Sequence, residues 1–253
     1  MFTPQDLTQD GFLGGQLTIA QPRHGYRAAM DPVLLAASCP ARAGQSVLEL
    51  GCGAGVASLC LGHRVPGLRL VGLERQGDYA ALAQANAQAN GIALEVFEGD
   101  LRQPPAALRA QSFDHVIANP PYFTAAGGTA AADPGREAAQ REETSQADWV
   151  TAALKRLHPG GHVTLIQNAD RLPDLIVALA GRAGAITVLP LAPRQGRAAG
   201  RVIVQARKGA KSPFRLLAPF VLHAAAHHGS DGEDLNPEAV KILRGGGSLL
   251  LGN

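Results

Sequence analysis

Asn119-Pro120-Pro121-Tyr122 combines residue types that packing alone does not require. An exocyclic amine on a base, or a carboxamide nitrogen, delocalises its lone pair into a π system and is a poor nucleophile. If the Asn119 side-chain oxygen and the Pro120 carbonyl each accept one N–H, the nitrogen can pyramidalise and present its lone pair to an electrophilic carbon. Holding that geometry ahead of reaction removes much of the entropic barrier and stabilises developing charge. The prolines fix the backbone, and Tyr122 offers a ring to stack on a planar acceptor. No base with a shifted pKa is needed. Asn119, Pro120 and Tyr122 are therefore the candidate acceptor residues, against the plain alternative of a proline turn closing a strand beside an incidental aromatic.

What weighs against that alternative lies upstream. Glu49-Leu50-Gly51-Cys52-Gly53-Ala54-Gly55 is a glycine-rich turn after a short apolar run, where a ligand can approach the backbone because glycine lacks a Cβ and tolerates positive φ. Dinucleotide folds use G-x-G-x-x-G; here the spacing is G-x-G-x-G. Glu49 also suits a ligand carrying an amino group and a sulfonium better than a pyrophosphate. Glu74 ends a second apolar run, 19 residues after Gly55, where doubly wound folds receive a ribose. Asp100 ends a third and can accept from an adenine amino group, while Leu101 offers a backbone N–H to a ring nitrogen. Three acids in order at three successive strand ends point to S-adenosylmethionine. The expected cofactor contacts are Glu49, Gly51, Cys52, Gly53, Gly55, Glu74, Arg75, Asp100, Leu101 and Asn119.

The elements that must hold these residues read as repeated βα units. Strands are expected at 46–50, 68–73, 94–97, 115–118 and 161–166, with helices at 56–63, 77–90, 146–157 and 171–179. The last two apolar runs, 185–189 and 202–206, are too closely joined for a crossover helix and should pair antiparallel. The expected fold is α/β: a doubly wound, seven-stranded, mostly parallel sheet with an antiparallel C-terminal strand. A helix over 31–37, with Asp31 as N-cap and Pro32 at its first position, precedes the first strand. The organisation reads as a leader at 1–44, a core at 45–208 and a C-terminal extension at 209–253. Stretches 124–132 and 227–234 read as loops, and the acidic run 133–148 as a solvated helix start that could close over the acceptor.

Composition sets the remaining bounds. The chain has 253 residues, 46% hydrophobic, with a formal charge of +2. No apolar run is long enough to span a membrane and the N-terminus lacks a basic-then-apolar segment, so a cytoplasmic protein is expected. Cys39, Cys52 and Cys60 form no C-x-x-C pair and read as buried thiols. His223, His227 and His228 have no partner at ligand spacing, so no metal is assigned. No acid falls between Asp174 and Asp231 whereas Arg182, Arg194, Arg197, Arg201, Arg207, Lys208, Lys211 and Arg215 do. They could form a phosphate-binding face. Trp149 reads as core.

The ordered motifs Glu-Leu-Gly-Cys-Gly, Leu-Glu, Gly-Asp and Asn-Pro-Pro-Tyr resemble those of class I S-adenosylmethionine-dependent methyltransferases (Rossmann-like) that act on amines of nucleic acids or of release-factor glutamine. The leader stretches Asp10 to Gly15 and Gln21 to Arg27 with Asp31, the run Arg141-Glu142-Glu143 before Trp149 and the closing Arg201 to Lys208 are similar to the bacterial tRNA adenine-N6 methyltransferase family. The likeness covers nearly the whole chain. It implies methyl transfer to N6 of an adenosine in tRNA near the anticodon, with Tyr26 and Asp31 added to the cofactor contacts. Met30 stands where that family often has Thr. Base flipping would expose the adenine edge to Asn119 and its face to Tyr122. Two other readings stay open at this point: N5 methylation of a protein glutamine, and a non-catalytic RNA-binding module on the same fold.

Overall fold

The computed structural model describes residues 2–121, 123–124, 141–142, 144–224 and 234–252. The leader opens with a hairpin that the sequence reading did not anticipate: β1 (Leu7–Phe12) pairs antiparallel with β2 (Leu17–Pro22). The turn between them is made by Gly14 and Gly15, at φ 68° and 90°. α1 (Met30–Ser38) follows. Its N-cap is Ala29 and not Asp31, which sits inside the first turn. The Asp31 carboxylate instead accepts from Arg201 Nε at 3.1 Å.

Alternation then builds the core. β3 (Ser46–Leu50), α2 (Val56–Arg64), β4 (Arg69–Glu74), α3 (Gly77–Ala89), β5 (Leu94–Glu98), α4 (Ala106–Arg109) and β6 (Phe113–Ala118) come first. The two-residue strands β7 (Phe123–Thr124) and β8 (Arg141–Glu142) pair parallel with each other. α5 (Gln146–Arg156), β9 (Leu157–Asn168), α6 (Leu172–Leu179), β10 (Ala183–Ala192) and β11 (Arg201–Lys208) complete the expected set. β12 (Arg215–Leu216), β13 (Phe220–Val221) and α7 (Pro237–Gly245) lie in the extension.

The main sheet runs β12-β10-β11-β9-β6-β3-β4-β5, with β13 also on β10. β3, β4, β5, β6 and β9 are parallel, and β11 is antiparallel to both its neighbours. All seven expected strands are present, and β12 and β13 extend the sheet past β10. β3 is buried at every residue, as a central strand covered on both faces must be. Its side chains alternate: Val47 packs with α1 and α2, whereas Leu48 and Leu50 pack with Trp149 and Val150 of α5 and with α6.

The basic stretch does not make one face. β10 runs parallel to β9, so its connection to β11, with Arg194 and Arg197, lies with Arg201 at the carboxyl edge of the sheet. Arg182, Arg207 and Lys208 lie at the opposite edge. There Arg207 Nε donates to the Gly160 carbonyl (2.8 Å), Lys208 Nζ to the Leu157 carbonyl (2.7 Å) and Arg182 to Thr151 Oγ1 (3.0 Å). Sequence proximity grouped cations that an antiparallel hairpin separates. Among the described residues no helix is long and apolar enough to cross a membrane.

Candidate functional site

Open parallel sheets bind ligands beyond the carboxyl ends of their strands. Here those ends and the leader enclose a cavity of about 600 Å³. Its walls include Glu49, Gly51, Cys52, Gly53, Glu74, Arg75, Asp100, Leu101, Asn119, Pro120 and Tyr26, so most of the expected residues converge on one space. Asp31 and Gly55 stand outside its walls, and Tyr122 lies outside the described residues.

The glycine turn has its shape because three positions need left-handed backbone. Gly51, Gly53 and Gly55 have φ 66°, 53° and 86°. A Cβ on Gly51 would sit 2.7 Å from the Trp149 ring. Gly55 is the N-cap of α2 and so shapes the turn from behind. Trp149 is buried, as expected, but it also walls the cavity.

Glu49 is buried beneath the turn, and one carboxylate oxygen accepts from Ser58 N–H (2.9 Å) and Ser58 Oγ (2.5 Å). Burial pushes its carboxyl up to about 8, against the pull of the Ser58 hydrogen bonds. A cation placed beside it would favour the ionised form. Glu74 reaches across the strand ends: one oxygen accepts from Gly53 N–H and the other from Gln76 N–H, both at 2.9 Å. Burial raises its carboxyl as well, opposed by those backbone donors. The Arg75 N–H donates to this carboxylate as well, so three backbone donors hold it at the end of β4. Asp100 is gripped by Arg102, with Nη2 at 2.7 Å and Nε at 3.1 Å, and that pair holds its carboxyl below the usual carboxylate range.

At the far wall Asn119 Nδ2 donates to the Tyr26 hydroxyl oxygen at 3.3 Å. Tyr79 in turn donates its hydroxyl to the Tyr26 carbonyl at 3.0 Å. Tyr26 thus ties the leader to both α3 and the acceptor motif. Gln167 Nε2 donates to the carbonyls of Pro120 and Pro121.

Ser58, Tyr79 and Gln167 escaped sequence reasoning. Each acts across a sequence gap that no local motif marks, although an aromatic in the first turn of α3 was a usable hint for Tyr79. His223 bonds Asp234 through Nδ1 at 2.6 Å, and Asp234 also pairs with Arg194, while His227 and His228 lie outside the described residues. No group of metal-ligating side chains occurs among the described residues. Most of the acidic run 133–148 and the loops at 124–132 and 227–234 lie outside the described residues. Burial pushes the Cys39 and Cys60 thiols to about 12 and that of Cys52 well above its ordinary value, so none is a nucleophile at neutral pH.

The cavity fits S-adenosylmethionine. Its volume lies within the range of small-molecule and cofactor sites, roughly 300–1,000 Å³. A cradle of positive-φ glycines borders it, and acids stand where an ammonium, a ribose and an adenine amine would each need one.

A model of the methyltransferase small domain matches residues 29–174. The release factor glutamine methyltransferase of Geobacter sulfurreducens is 34% identical over 55% of this chain and 50% of its own, so the match spans half that relative's length. The tRNA1(Val) (adenine(37)-N6)-methyltransferase of Porphyromonas gingivalis is 33% identical over 67% of this chain and 69% of its own. Among solved structures, a predicted O-methyltransferase from Agrobacterium tumefaciens superposes with a TM-score of 0.69 at 24% identity, covering 87% of this chain and 99% of that one. That likeness supports the fold alone.

Proposed function

The chain belongs to the methyltransferase small domain family, whose members here are S-adenosylmethionine-dependent, and from that premise we propose that it methylates N6 of an adenosine in tRNA. One observation carries the reading: Asn119 and Pro120 wall the same cavity as Glu49, Glu74 and Asp100. An amine bound between the Asn119 side chain and the Pro120 carbonyl therefore shares one enclosed space with the cofactor residues.

Glu49 would hold the cofactor's ammonium end, Glu74 its ribose, and Asp100 with Leu101 its adenine, with Gly51, Cys52 and Gly53 against its backbone-facing side. S-adenosylmethionine supplies, when bound, a methyl group on a positively charged sulfur. The chain's own part is to orient the amine, to take up its N–H groups and to keep water from the reacting centres. Tyr26 keeps Asn119 at its post. Arg197, exposed at the carboxyl edge, suits a phosphate flanking a flipped-out base.

Incubating the protein with S-adenosylmethionine and total tRNA should yield N6-methyladenosine by nucleoside mass spectrometry. Its absence would sink the proposal. The 34% identity to a glutamine methyltransferase supports a second reading, in which the amine is a protein carboxamide. That reading expects methylation of a release-factor peptide and little salt-dependent RNA binding.

A further inference from the structure

Two consecutive prolines leave a chain with carbonyls and no N–H groups, so Pro120 and Pro121 cannot be held by a ladder or a turn bond of their own. Their carbonyls need donors from elsewhere. Gln167, fully buried near the end of β9, supplies one: its Nε2 lies 3.4 Å from the Pro120 oxygen and 3.3 Å from the Pro121 oxygen. Both distances are long for a linear amide bond and match one NH2 group spanning two acceptors. The other end of the amide is also engaged, because Gln167 Oε1 accepts from Asn168 N–H at 2.7 Å. Flipping the amide would set oxygen against two carbonyls and nitrogen against an N–H, so its orientation is fixed.

We infer that Gln167 is the positioning residue of the acceptor site: its amide clamps the Pro120 and Pro121 carbonyls to β9 and thereby aims the Pro120 oxygen at the incoming amine. This rests on the proposed amine-methylating function. The geometry gives the reason. A carbonyl oxygen has two lone pairs. Gln167 takes one from inside the protein, which leaves the other to face the cavity that Pro120 walls. Sequence adjacency fixes Asn119 to β6, but the residues after it leave the sheet with no backbone donor, and Gln167 is the tether. Gln167 touches no substrate in this scheme. It acts through Pro120.

The test uses the full-length protein and two substitutions at this site. Gln167→Met keeps length and apolar packing but removes the donor. Gln167→Glu can donate only when protonated. Gln205→Met serves as control, since Gln205 bonds the Ser38 carbonyl and Thr164 Oγ1 and lies away from the acceptor loop. Displacing an aiming group by about 1 Å costs on the order of 100-fold in rate. Gln167→Met should therefore lose about 10- to 100-fold in kcat on the acceptor that the unaltered protein methylates, with S-adenosylmethionine affinity held within about twofold. Gln167→Glu should regain rate as pH falls, a profile that a merely structural role would not produce. The inference is overturned if Gln167→Met keeps the kcat of Gln205→Met, or if its loss tracks only a fall in melting temperature. An unaltered protein that methylates neither tRNA nor a glutamine peptide overturns the functional reading instead. The carbonyl carbon-13 shifts of Pro120 and Pro121 then decide this one: they move upfield in Gln167→Met if the amide holds them, and stay in place if it does not.

Discussion

Glu49 shows how one side chain sets a condition on the whole site. It is buried, and Ser58 supplies two hydrogen bonds to one oxygen, yet desolvation wins and its carboxyl titrates near 8. Its unfolded value is close to 4.5. The folded protein therefore holds a proton that the unfolded chain has released, and the stability this gives is complete below the lower value and lost as pH rises through about 8. Melting temperature of the ligand-free protein should fall between pH 5 and pH 9, and the fall should be shallower in Glu49→Gln. Cofactor affinity should run the other way, rising with pH as the carboxylate forms to meet an ammonium, and Glu49→Gln should be weak and nearly pH-independent. Calorimetric titration at several pH values measures both slopes. On the proposed function Asn119→Ala removes the group that accepts from the amine and should lower kcat by about 100-fold or more, read as the rate of methyl transfer to tRNA, while the melting temperature stays near that of the unaltered protein.

At the scale of elements, the sheet was legible and its attachments were not. Strands β3, β4, β5 and β6 announce themselves as short apolar runs, and the acids at the ends of the first three are countable from the sequence. The β1–β2 hairpin was missed because β1 is only partly buried, β2 is buried at every position but Thr18 and so shows no alternation, and the turn Leu13-Gly14-Gly15 is not a two-residue loop. Its hold on the site is invisible in sequence for a stronger reason: Asn86 of α3 reaches 66 residues back. Its Oδ1 accepts from Ala20 N–H at 2.8 Å, and its Nδ2 donates to the carbonyls of Ala20 and Ala54, each at 3.0 Å. One buried amide thus joins the leader to the glycine turn. Asn86→Leu leaves those backbone groups unmatched, at about 1–3 kcal/mol for each buried group. It should lower both the melting temperature and cofactor affinity. The glycine turn offers a sharper comparison. Gly51→Ala and Gly91→Ala both force alanine to positive φ, near 66° and 64°, but only the first meets the Trp149 ring; nothing lies within 4 Å of the second. Gly91→Ala should cost about 1–2 kcal/mol. Gly51→Ala should cost more by the overpacking penalty, about 1–3 kcal/mol, and should abolish cofactor binding, as urea unfolding and calorimetry would measure.

For the molecule as a whole, the sequence reading set 209–253 apart as an extension, and the contacts tie that segment into the core. β12 and β13 add to the free edge of β10, and α7 packs on α1 and on the turn at Leu13 to Gly15. Asn236 caps α7 by accepting from Ala239 N–H at 2.7 Å, so the helix has a defined start. Ala239, Ile242 and Leu251 are buried in the same cluster as Val33, Leu34 and Leu59. The segment's composition could not reveal this, because an amphipathic helix advertises an apolar face without saying what covers it. Tyr26 lies in the connection between β2 and α1, and Asp31 on α1 meets Arg201 on β11. α7 thus packs against both the leader turn and the helix that bears Asp31. Ile242→Ala should lower stability by about 2–5 kcal/mol, the range for truncating a buried aliphatic side chain. If the extension folds as part of the core, urea unfolding followed by tryptophan fluorescence, which reports on Trp149 at the site, and by circular dichroism should give one shared transition shifted to lower urea. Two separated transitions, with the Trp149 signal unmoved, would show that the extension unfolds on its own and that the site does not depend on it.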